Sequence, residues 1–329
     1  MNAAARPASR LELPSSPSRT TEAGRDFAFT GEDFARIRAL IHRRAGISLS
    51  DHKRDMAYSR LARRLRTLGL DSFRDYLDRL ERDNDPVEWE AFTNALTTNL
   101  TAFFREAHHF PILAEFVKTR ATPVSVWCSA ASTGEEPYTI AITLLEALGP
   151  SAARSATILA TDLDTQVLEK ARAGVYTFDQ VKHLSQERLR RFFLKGTGPQ
   201  AGRVKVRPEL KQMIRFEPLN LTDADYGISS QSFDVIFCRN VMIYFDKPTQ
   251  AQVLTRFEPL LKPGGLLFAG HSENFSYVTQ AFRLRGQTVY ERTRDAGPAG
   301  TARPRARPAA EAPAGGAADA APSLAGEDA

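Results

Sequence analysis

The segment Phe233–Phe245, FDVIFCRNVMIYF, decides how the rest of the chain is interpreted. It begins as a largely apolar run with β-branched residues, which predicts a buried strand, and Arg239 and Asn240 follow where that strand should end. In open parallel α/β sheets, ligands bind just beyond the carboxyl ends of the strands. A polar pair in this place, followed by Tyr244, predicts the edge of a ligand-binding crevice.

Outward from this segment, strand and helix patterns alternate from about residue 100. The predicted strands are 124–128, 157–161, 214–218, 233–238 and 265–269, and the predicted helices are 135–148, 165–173 and 249–261. This alternation predicts a Rossmann-like α/β fold with a mostly parallel sheet and helices on both faces. The runs 282–286 and 288–292 predict an antiparallel pair that closes the sheet. Turn residues and alternating Val-Lys-Val-Arg at about 190–213 predict a small antiparallel β insertion.

The chain divides into four predicted parts, which are 1–25, 26–95, 96–293 and 294–329. Both end segments are rich in Ala, Pro, Ser or Gly and cannot bury enough apolar surface to order, so we expect both to be disordered. Residues 26–95 predict a small all-α domain. There, Gly46 is expected to end the first helix and Asp51 to cap a second, which ends at Gly69; Asp71 or Ser72 is expected to cap a third.

Composition is that of an ordinary globular protein, with 42% hydrophobic and 25% charged residues and a formal net charge of +5. Cys128 and Cys238 lie in predicted core strands and have no metal-binding spacing, so we expect buried reduced thiols. His108 and His109 lack a partner cluster, and no metal is predicted. No apolar run reaches the roughly 18 residues needed to span a bilayer, and no secretory signal is visible, so a cytoplasmic protein is expected.

The loop after the first strand, SAASTGEEPY, occupies the cofactor-loop position of a doubly wound fold. Its small residues and Gly134 would let the backbone approach a ligand, although a turn packed for steric reasons would look the same. It is not G-x-G-x-x-G, so a dinucleotide pyrophosphate has no obvious cradle. Glu135 and Glu136 begin the next helix. They are either surface residues favoured by the helix dipole or carboxylates that hold the ammonium of an amino-acid-like cofactor.

Asp162 ends the second strand, about two dozen residues after that loop, where an acidic residue accepts hydrogen bonds from ribose hydroxyls. Asp164 is better placed to cap the following helix. Asn99, Thr101 and Arg105 lie in NLTAFFREAHHF, which either contributes to the same crevice or forms an aromatic plug between domains.

Residues 53–66, KRDMAYSRLARRLR, carry six basic residues and one acid. Arg60, Arg63 and Arg64 share a helix face, which is either solvated or bound to an acidic partner such as a nucleic acid or an acidic protein helix. Tyr58 is the only aromatic residue there, which disfavours single-stranded nucleic acid.

Five motifs occur in one order along the chain: TTNLTAFFREAHHF, SAASTGEEPY, ATDLDTQVLEKARAGVY, FDVIFCRNVMIYFDKPTQ and LKPGGLLFAGHSEN. Together they resemble the chemotaxis receptor glutamate methyltransferases of the CheR type, over about residues 27–293. The resemblance implies a helical domain joined to an α/β domain that binds S-adenosyl-L-methionine and carries a small β insertion. It also implies methyl transfer to glutamate side chains on the cytoplasmic helices of chemoreceptors.

The resemblance assigns roles to three groups of residues. The implied cofactor-binding residues are Asn99, Thr101, Arg105, Glu136, Asp162, Asn220, Leu221, Arg239 and Asn240; the implied catalytic residues are Arg105 and Tyr244; and the implied receptor-binding residues are Arg60, Arg63 and Arg66. On an ideal helix Arg66 points away from Arg60. The expected partners are chemoreceptors, in some relatives through a receptor C-terminal peptide held by the β insertion. We expect a monomer that binds no nucleic acid and does not insert into membranes.

The chemistry suits a carboxylate substrate, because a glutamate with a pKa of about 4.3 is already ionised and needs no general base. Two alternatives belong to other classes. A nucleic-acid or other protein methyltransferase would use the basic helix differently, but the sequence after Arg239 is not a base-binding motif. A non-catalytic receptor-binding module would have lost the cofactor residues, which a cofactor titration would reveal.

Overall fold

The computed structural model describes residues 26–121, 123–150 and 152–293. The predicted disordered segments, 1–25 and 294–329, lie outside the described residues. The first part of the chain is all-helical, as the sequence predicts. Its helices are α1 Gly31–Ala45, α2 Arg54–Leu68, α3 Phe73–Asp83 and α4 Pro86–Leu96.

Local signals set most of these helix ends. Gly46 and Gly69 adopt the left-handed conformation that ends α1 and α2, and the Ser72 side chain caps α3, all as predicted. The prediction for Asp51 is wrong: it begins a short 3-10 turn, and α2 starts three residues later after Lys53, which provides no side-chain cap. The Asp51 carboxylate instead lies 2.9 Å from the guanidinium of Arg38, with which it forms an exposed ion pair.

The second part alternates strands and helices. Its helices are α5 His109–Lys118, α6 Glu135–Leu148, α7 Ala152–Ser155, α8 Thr165–Ala173, α9 Phe178–Val181, α10 Gln186–Phe192, α11 Pro208–Gln212 and α12 Lys247–Leu260. Its strands are β1 Val124–Cys128, β2 Ala156–Asp162, β3 Val175–Thr177, β4 Phe193–Lys195, β5 Arg203–Val206, β6 Ile214–Pro218, β7 Phe233–Cys238, β8 Leu261–Ala269, β9 Phe282–Gly286 and β10 Val289–Arg292. The α/β prediction is confirmed, although five of these helices, α5, α7, α9, α10 and α11, were not predicted.

The large sheet has the order β6-β2-β1-β7-β8-β10-β9. Its first five strands are parallel, whereas β10 is antiparallel to both β8 and β9. The chain runs outward from β1 through β2 to β6 and then returns to β7 on the other side of β1. Ligands bind at such a reversal of strand order, so the carboxyl ends of β1 and β7 mark the expected site.

A separate three-stranded antiparallel sheet, in the order β3-β5-β4, forms the predicted insertion. The insertion begins earlier in the sequence than the predicted range of 190–213, because β3 lies upstream of that range. Three residues are too few to show the period-2 alternation by which strands are recognised in a sequence, which explains the omission.

One hydrophobic core joins the helical part to the sheet. Trp127 of β1 contacts Phe233 and Phe257 and shares this core with α1 to α4. The segment after α1 also pairs with the segment after β7: Ile47 bridges Phe245, and the Ser48 amide donates to the Tyr244 carbonyl over 2.8 Å. The helical part therefore supplies one wall beside the carboxyl ends of the strands.

Candidate active site

Two buried side chains meet where the strand order reverses. Glu136, in the first turn of α6, places its Oε2 atom 2.6 Å from Nη1 of Arg239, which directly follows β7. The Arg239 side chain is 1% exposed, and its Nη2 also donates to the backbone carbonyl of Arg105. One guanidinium thus joins three segments that are distant in the sequence.

The loop after β1 brings the backbone close to its neighbours. Gly134 has a φ of 100°, and a Cβ atom there would lie 2.7 Å from the hydroxyl of Tyr176 and 2.9 Å from Cβ of Ala171. Both interpretations of this loop are therefore compatible with the structure. Packing requires the glycine, as expected of a turn packed for steric reasons, and the loop also lies beside the carboxyl ends of the strands, where a ligand binds.

The pKa values of the two glutamates beside Arg239 move in opposite directions. Burial raises the pKa of Glu136 above its usual range, and the charge of Arg239 opposes that shift. Burial also acts to raise the pKa of Glu106, but hydrogen bonds from His271 and Asn240, together with Arg239, lower it to about 2. Glu106 is therefore ionised throughout the physiological range.

Asp162 ends β2 and organises the loops beside it. Its carboxylate accepts hydrogen bonds from the backbone amides of Ser132, at 2.8 Å, and Asp164, at 2.9 Å. Burial raises the pKa of Asp162 to about 6. A half-buried carboxylate at the end of the second strand is the group that a ribose diol requires.

The prediction that Asp164 caps a helix is confirmed, because its Oδ1 accepts from the Gln166 and Val167 amides of α8. Its other oxygen accepts hydrogen bonds of 2.8 Å from the hydroxyl of Thr97 and from the amide of Asn99. This contact ties the segment after α4 to the end of β2.

Glu136, Asp162 and Arg239 line a cavity of about 470 Å³, within the size range of small-molecule sites. The ten residues that the family resemblance assigned to the cofactor or to catalysis all line it: Asn99, Thr101, Arg105, Glu136, Asp162, Asn220, Leu221, Arg239, Asn240 and Tyr244. Arg239 is buried behind Glu136, so its side chain acts on this cavity largely through that carboxylate.

Two of these ten residues also make hydrogen bonds to the segments around them. Asn220 uses its side chain within its own loop and on the Arg44 carbonyl. Arg105 donates from Nη1 to the Leu100 carbonyl over 2.7 Å, which holds its guanidinium at the cavity. The aromatic-plug alternative describes Phe103, whose buried ring packs against the small sheet, rather than Arg105.

The three arginines predicted to bind the receptor do not line the cavity. Arg60 donates to the Thr97 carbonyl and Arg66 pairs with Asp26, whereas the Arg63 side chain is exposed and has no hydrogen bond or ion pair within the described ranges. Arg64, predicted to share the exposed face, instead forms an ion pair with the buried Glu88.

Sequence reasoning missed three residues that shape the site. Lys53 lines the cavity from the helical part, and Glu106 and Glu273 hold the segment after β7. Lys53 could have been suspected only from the basic segment that it begins. Glu106 and Glu273 lie inside recognised motifs, but the residue after β7 that both hold, Asn240, is more than 30 positions away from each.

The described residues also bring Glu106, His108 and His109 together, with one ligand atom of each within 4.8 Å of the others. Nη2 of Arg239 lies 3.3 Å from Oε2 of Glu106. That guanidinium supplies the positive charge that a metal ion would otherwise bring to this carboxylate. Burial and the charge of Arg239 lower the pKa of His109 to about 4, so its ring is neutral.

The residues of the cavity fit S-adenosyl-L-methionine. Asp162 suits the ribose hydroxyls, Glu136 suits the cationic amino-acid end, and the apolar Leu163, Leu219 and Leu221 suit an adenine ring. The fold and this donor set define an S-adenosylmethionine-dependent methyltransferase. Every helix in the described parts of the chain is too short or too polar to cross a lipid bilayer.

Comparison with known proteins identifies the family. Residues 32–97 match the domain described as "CheR methyltransferase, all-alpha domain", and residues 99–291 match "CheR methyltransferase, SAM binding domain". The chain therefore belongs to the CheR methyltransferase family, as the sequence motifs predicted.

Curated relatives carry the name "Chemotaxis protein methyltransferase". The protein from Klebsiella aerogenes is 61% identical over 80% of this chain and 90% of its own length. Those from Salmonella typhimurium and Escherichia coli are 59% and 56% identical, each over 82% of this chain, and over 92% and 93% of their own lengths. Among solved structures, the methyltransferase domain of bacterial CtHen1-C aligns at a TM-score of 0.30 and 13% identity, over 50% of this chain and 64% of its own, which is too weak to support an inference.

Proposed function

We propose that this chain transfers the methyl group of S-adenosyl-L-methionine to glutamate side chains of chemoreceptors, forming glutamate methyl esters, and that it does so in the cytoplasm. Support comes from relatives named as chemotaxis protein methyltransferases, which are up to 61% identical over most of their length. A chemoreceptor exposes its glutamate-bearing helices to that compartment, so the proposed substrate and location agree.

The observation that carries the proposal is the distribution of charge in the cavity. Glu136 and Asp162 are carboxylates suited to the cofactor, whereas Arg105 and Lys53 are cations that can attract and orient an incoming carboxylate. No histidine is among the described residues that line the cavity. A glutamate substrate is already ionised at neutral pH and needs no base, so this lining suits it.

S-adenosyl-L-methionine supplies a methyl group activated by its attachment to a sulfonium centre. The part of the protein is then to bring the carboxylate into line and to exclude water, which favours a reaction in which opposite charges cancel. In this proposal Arg105 orients the carboxylate, and the half-buried Tyr244 lines its path.

A methyl-transfer assay tests the proposed substrate. The full chain is incubated with methyl-labelled cofactor and the cytoplasmic fragment of a chemoreceptor from the same cell. We expect label on the receptor that mild base releases as methanol, as an ester requires, and no label on a receptor whose methylation-site glutamates are replaced by alanine. Base-stable label, or label in nucleic acid alone, would contradict the proposal.

We also propose that the small sheet binds a short peptide at the receptor C-terminus. Support comes from a groove of about 430 Å³ beside β4, β5 and α11, which is lined by Leu194, Lys205, Val206 and Lys211. Two lysines in an otherwise partly apolar groove suit a peptide that ends in a carboxylate. Titration with the last residues of the receptor would test this, and equal affinity for the same peptide with an amidated end would contradict it.

A further inference from the structure

The residue that follows the Arg239 ion pair, Asn240, is held in an unusual conformation. Its φ is 58°, in the left-handed region, which asparagine tolerates better than most residues. Its backbone amide donates to Oε2 of Glu273 over 3.0 Å, while Oε1 of Glu273 accepts from the Met242 amide over 2.8 Å. The backbone of Asn240 is therefore fixed at the edge of the cofactor cavity, which its side chain lines.

The side-chain amide of Asn240 is fixed as well. Nδ2 donates to Oε1 of Glu106 over 3.1 Å. An ionised carboxylate can only accept hydrogen bonds, so the NH2 group must face Glu106 and the carbonyl Oδ1 must face the other way. Gly270 makes this arrangement possible, because a Cβ atom there would lie 2.4 Å from Nδ2.

Glu106 is equipped to remain an acceptor at any working pH. Its carboxylate receives a hydrogen bond of 2.9 Å from Nδ1 of His271 and lies 3.3 Å from the guanidinium of Arg239. The Glu106 side chain, which precedes α5, therefore contacts Arg239 and Asn240 after β7 and His271 after β8. Within the described part of the chain, Oδ1 of Asn240 has no hydrogen-bond partner of its own.

We infer that Glu106 is a positioning residue for the cofactor, and that it acts by turning the carbonyl oxygen of Asn240 toward the cavity. The oxygen then accepts a hydrogen bond from a donor on the cationic amino-acid portion of S-adenosyl-L-methionine. If Glu106 were neutral, it could donate as well as accept, and the amide would be free to turn its NH2 group toward the positively charged ligand. This inference rests on the cofactor site and is independent of which substrate receives the methyl group.

Reversing the polarity of the hydrogen bond tests the inference. In Glu106→Gln the amide of Asn240 loses its fixed orientation, and in Asn240→Asp two carboxylates face each other. In the double variant Glu106→Gln/Asn240→Asp the glutamine donates and the aspartate accepts, so an oxygen again faces the cavity. We expect each single variant to bind S-adenosylhomocysteine at least tenfold more weakly by calorimetry, and the double variant to bind within about threefold of the wild type.

A matched control and a stability measurement separate positioning from damage to the fold. Glu115→Gln makes the same change on the exposed face of α5, where Glu115 pairs with Lys118, and should leave affinity unchanged. Thermal melting is measured for every variant. If Glu106→Gln alone does not fold, the double variant must still bind at least tenfold more tightly than Asn240→Asp. Two results would overturn the inference. One is wild-type affinity for S-adenosylhomocysteine in folded Glu106→Gln, and the other is a double variant that binds more weakly than either single variant.

Discussion

Glu136 and Arg239 form an ion pair of 2.6 Å beyond the carboxyl ends of the neighbouring strands β1 and β7, and both side chains are buried. The pair joins the loop that follows β1 to the segment that follows β7. Removing two charges from water is costly, and the Coulomb attraction repays that cost only where the geometry is good. The pair is therefore better explained by the geometry that it imposes on the cavity than by a gain in stability.

Arg239→Gln should lower the free energy of unfolding by about 3–5 kcal/mol, because it leaves the buried carboxylate of Glu136 without its cation. The loss should be smaller near pH 5 than at pH 8, since burial raises the pKa of Glu136 and the unpaired carboxyl can then take up a proton. Urea unfolding at the two pH values measures both effects. A loss below about 1 kcal/mol at pH 8 would contradict this account.

Asp162 should make cofactor binding dependent on pH. Its pKa is raised to about 6, so the ionised acceptor that ribose hydroxyls need is lost as the pH falls from 7 to 5. The effect of Asp162 on stability has the opposite pH dependence. Its raised pKa stabilises the folded protein below the unfolded pKa of about 4, and this stabilisation is lost as the pH rises through about 6. We expect affinity for S-adenosylhomocysteine to fall toward pH 5 in the wild type and to be weaker and nearly flat in Asp162→Asn and Asp162→Ala. A wild-type profile in either variant would remove Asp162 from the site.

The strands could be predicted because burial is visible locally. Phe233–Cys238 is buried at all six positions, and the largely apolar run, interrupted only by Asp234, predicted its bounds correctly. Asp162, Arg239, Asn240 and Tyr244 could be predicted to lie together because parallel strands bring their carboxyl ends to one edge of a sheet, whatever the distances along the chain. Asn99, Thr101, Arg105, Asn220 and Leu221 were assigned only by the family resemblance. Pattern and topology thus sufficed for the elements and for the edge at which they bind a ligand.

What the sequence could not show are contacts between side chains on different elements. Arg64 belongs to a basic run, but its partner Glu88 lies 24 positions away on another helix. Glu106 looks like a solvated neighbour of Arg105, yet its hydrogen bonds reach 134 and 165 positions along the chain. The periodicity of a sequence cannot reveal such pairs, because they depend on how the elements pack against one another.

Gly270→Ala should weaken cofactor binding without unfolding the protein. The added methyl group would lie 2.4 Å from Nδ2 of Asn240 and would displace the amide that Glu106 orients. We expect affinity for S-adenosylhomocysteine to fall about tenfold or more, with a loss of stability of about 1–3 kcal/mol from overpacking. Gly31→Ala is the matched control, because nothing lies within 4 Å of the added atom there. Unchanged affinity in Gly270→Ala would show that the amide does not act on the cofactor.

Arg105→Ala and Tyr244→Phe should lower turnover more than they weaken cofactor binding. Both residues line the cavity, and Arg105 is the one proposed to orient the substrate carboxylate, so the loss in Arg105→Ala should be the larger and should also affect affinity. A loss of one charge-assisted hydrogen bond corresponds to about 1.5–3 kcal/mol, or roughly tenfold to a hundredfold in rate. Single-turnover methyl transfer measures this. Full activity in a variant would exclude that residue from the reaction.

The basic helix α2 allows a prediction in which neighbouring arginines behave differently. The Arg63 side chain is exposed and has no partner among the described residues, so it is free to meet an acidic receptor helix. Arg60 holds the Thr97 carbonyl and Arg64 pairs with the buried Glu88, so both also support the fold. Charge on the exposed face acts mainly on encounter and is screened over about 8 Å at physiological ionic strength.

Arg63→Ala should therefore raise the KM for the receptor about two- to fivefold at low salt and reduce its dependence on salt, while the free energy of unfolding stays within about 0.5 kcal/mol of the wild type. Arg64→Ala should instead cost about 1–3 kcal/mol of stability, because Glu88 would keep only its hydrogen bond of 2.9 Å from Tyr76. Cofactor affinity should not change in Arg63→Ala. Receptor kinetics at two salt concentrations, with urea unfolding of both variants, separate the two roles. Wild-type receptor kinetics for Arg63→Ala at low salt would mean that α2 presents only a solvated face.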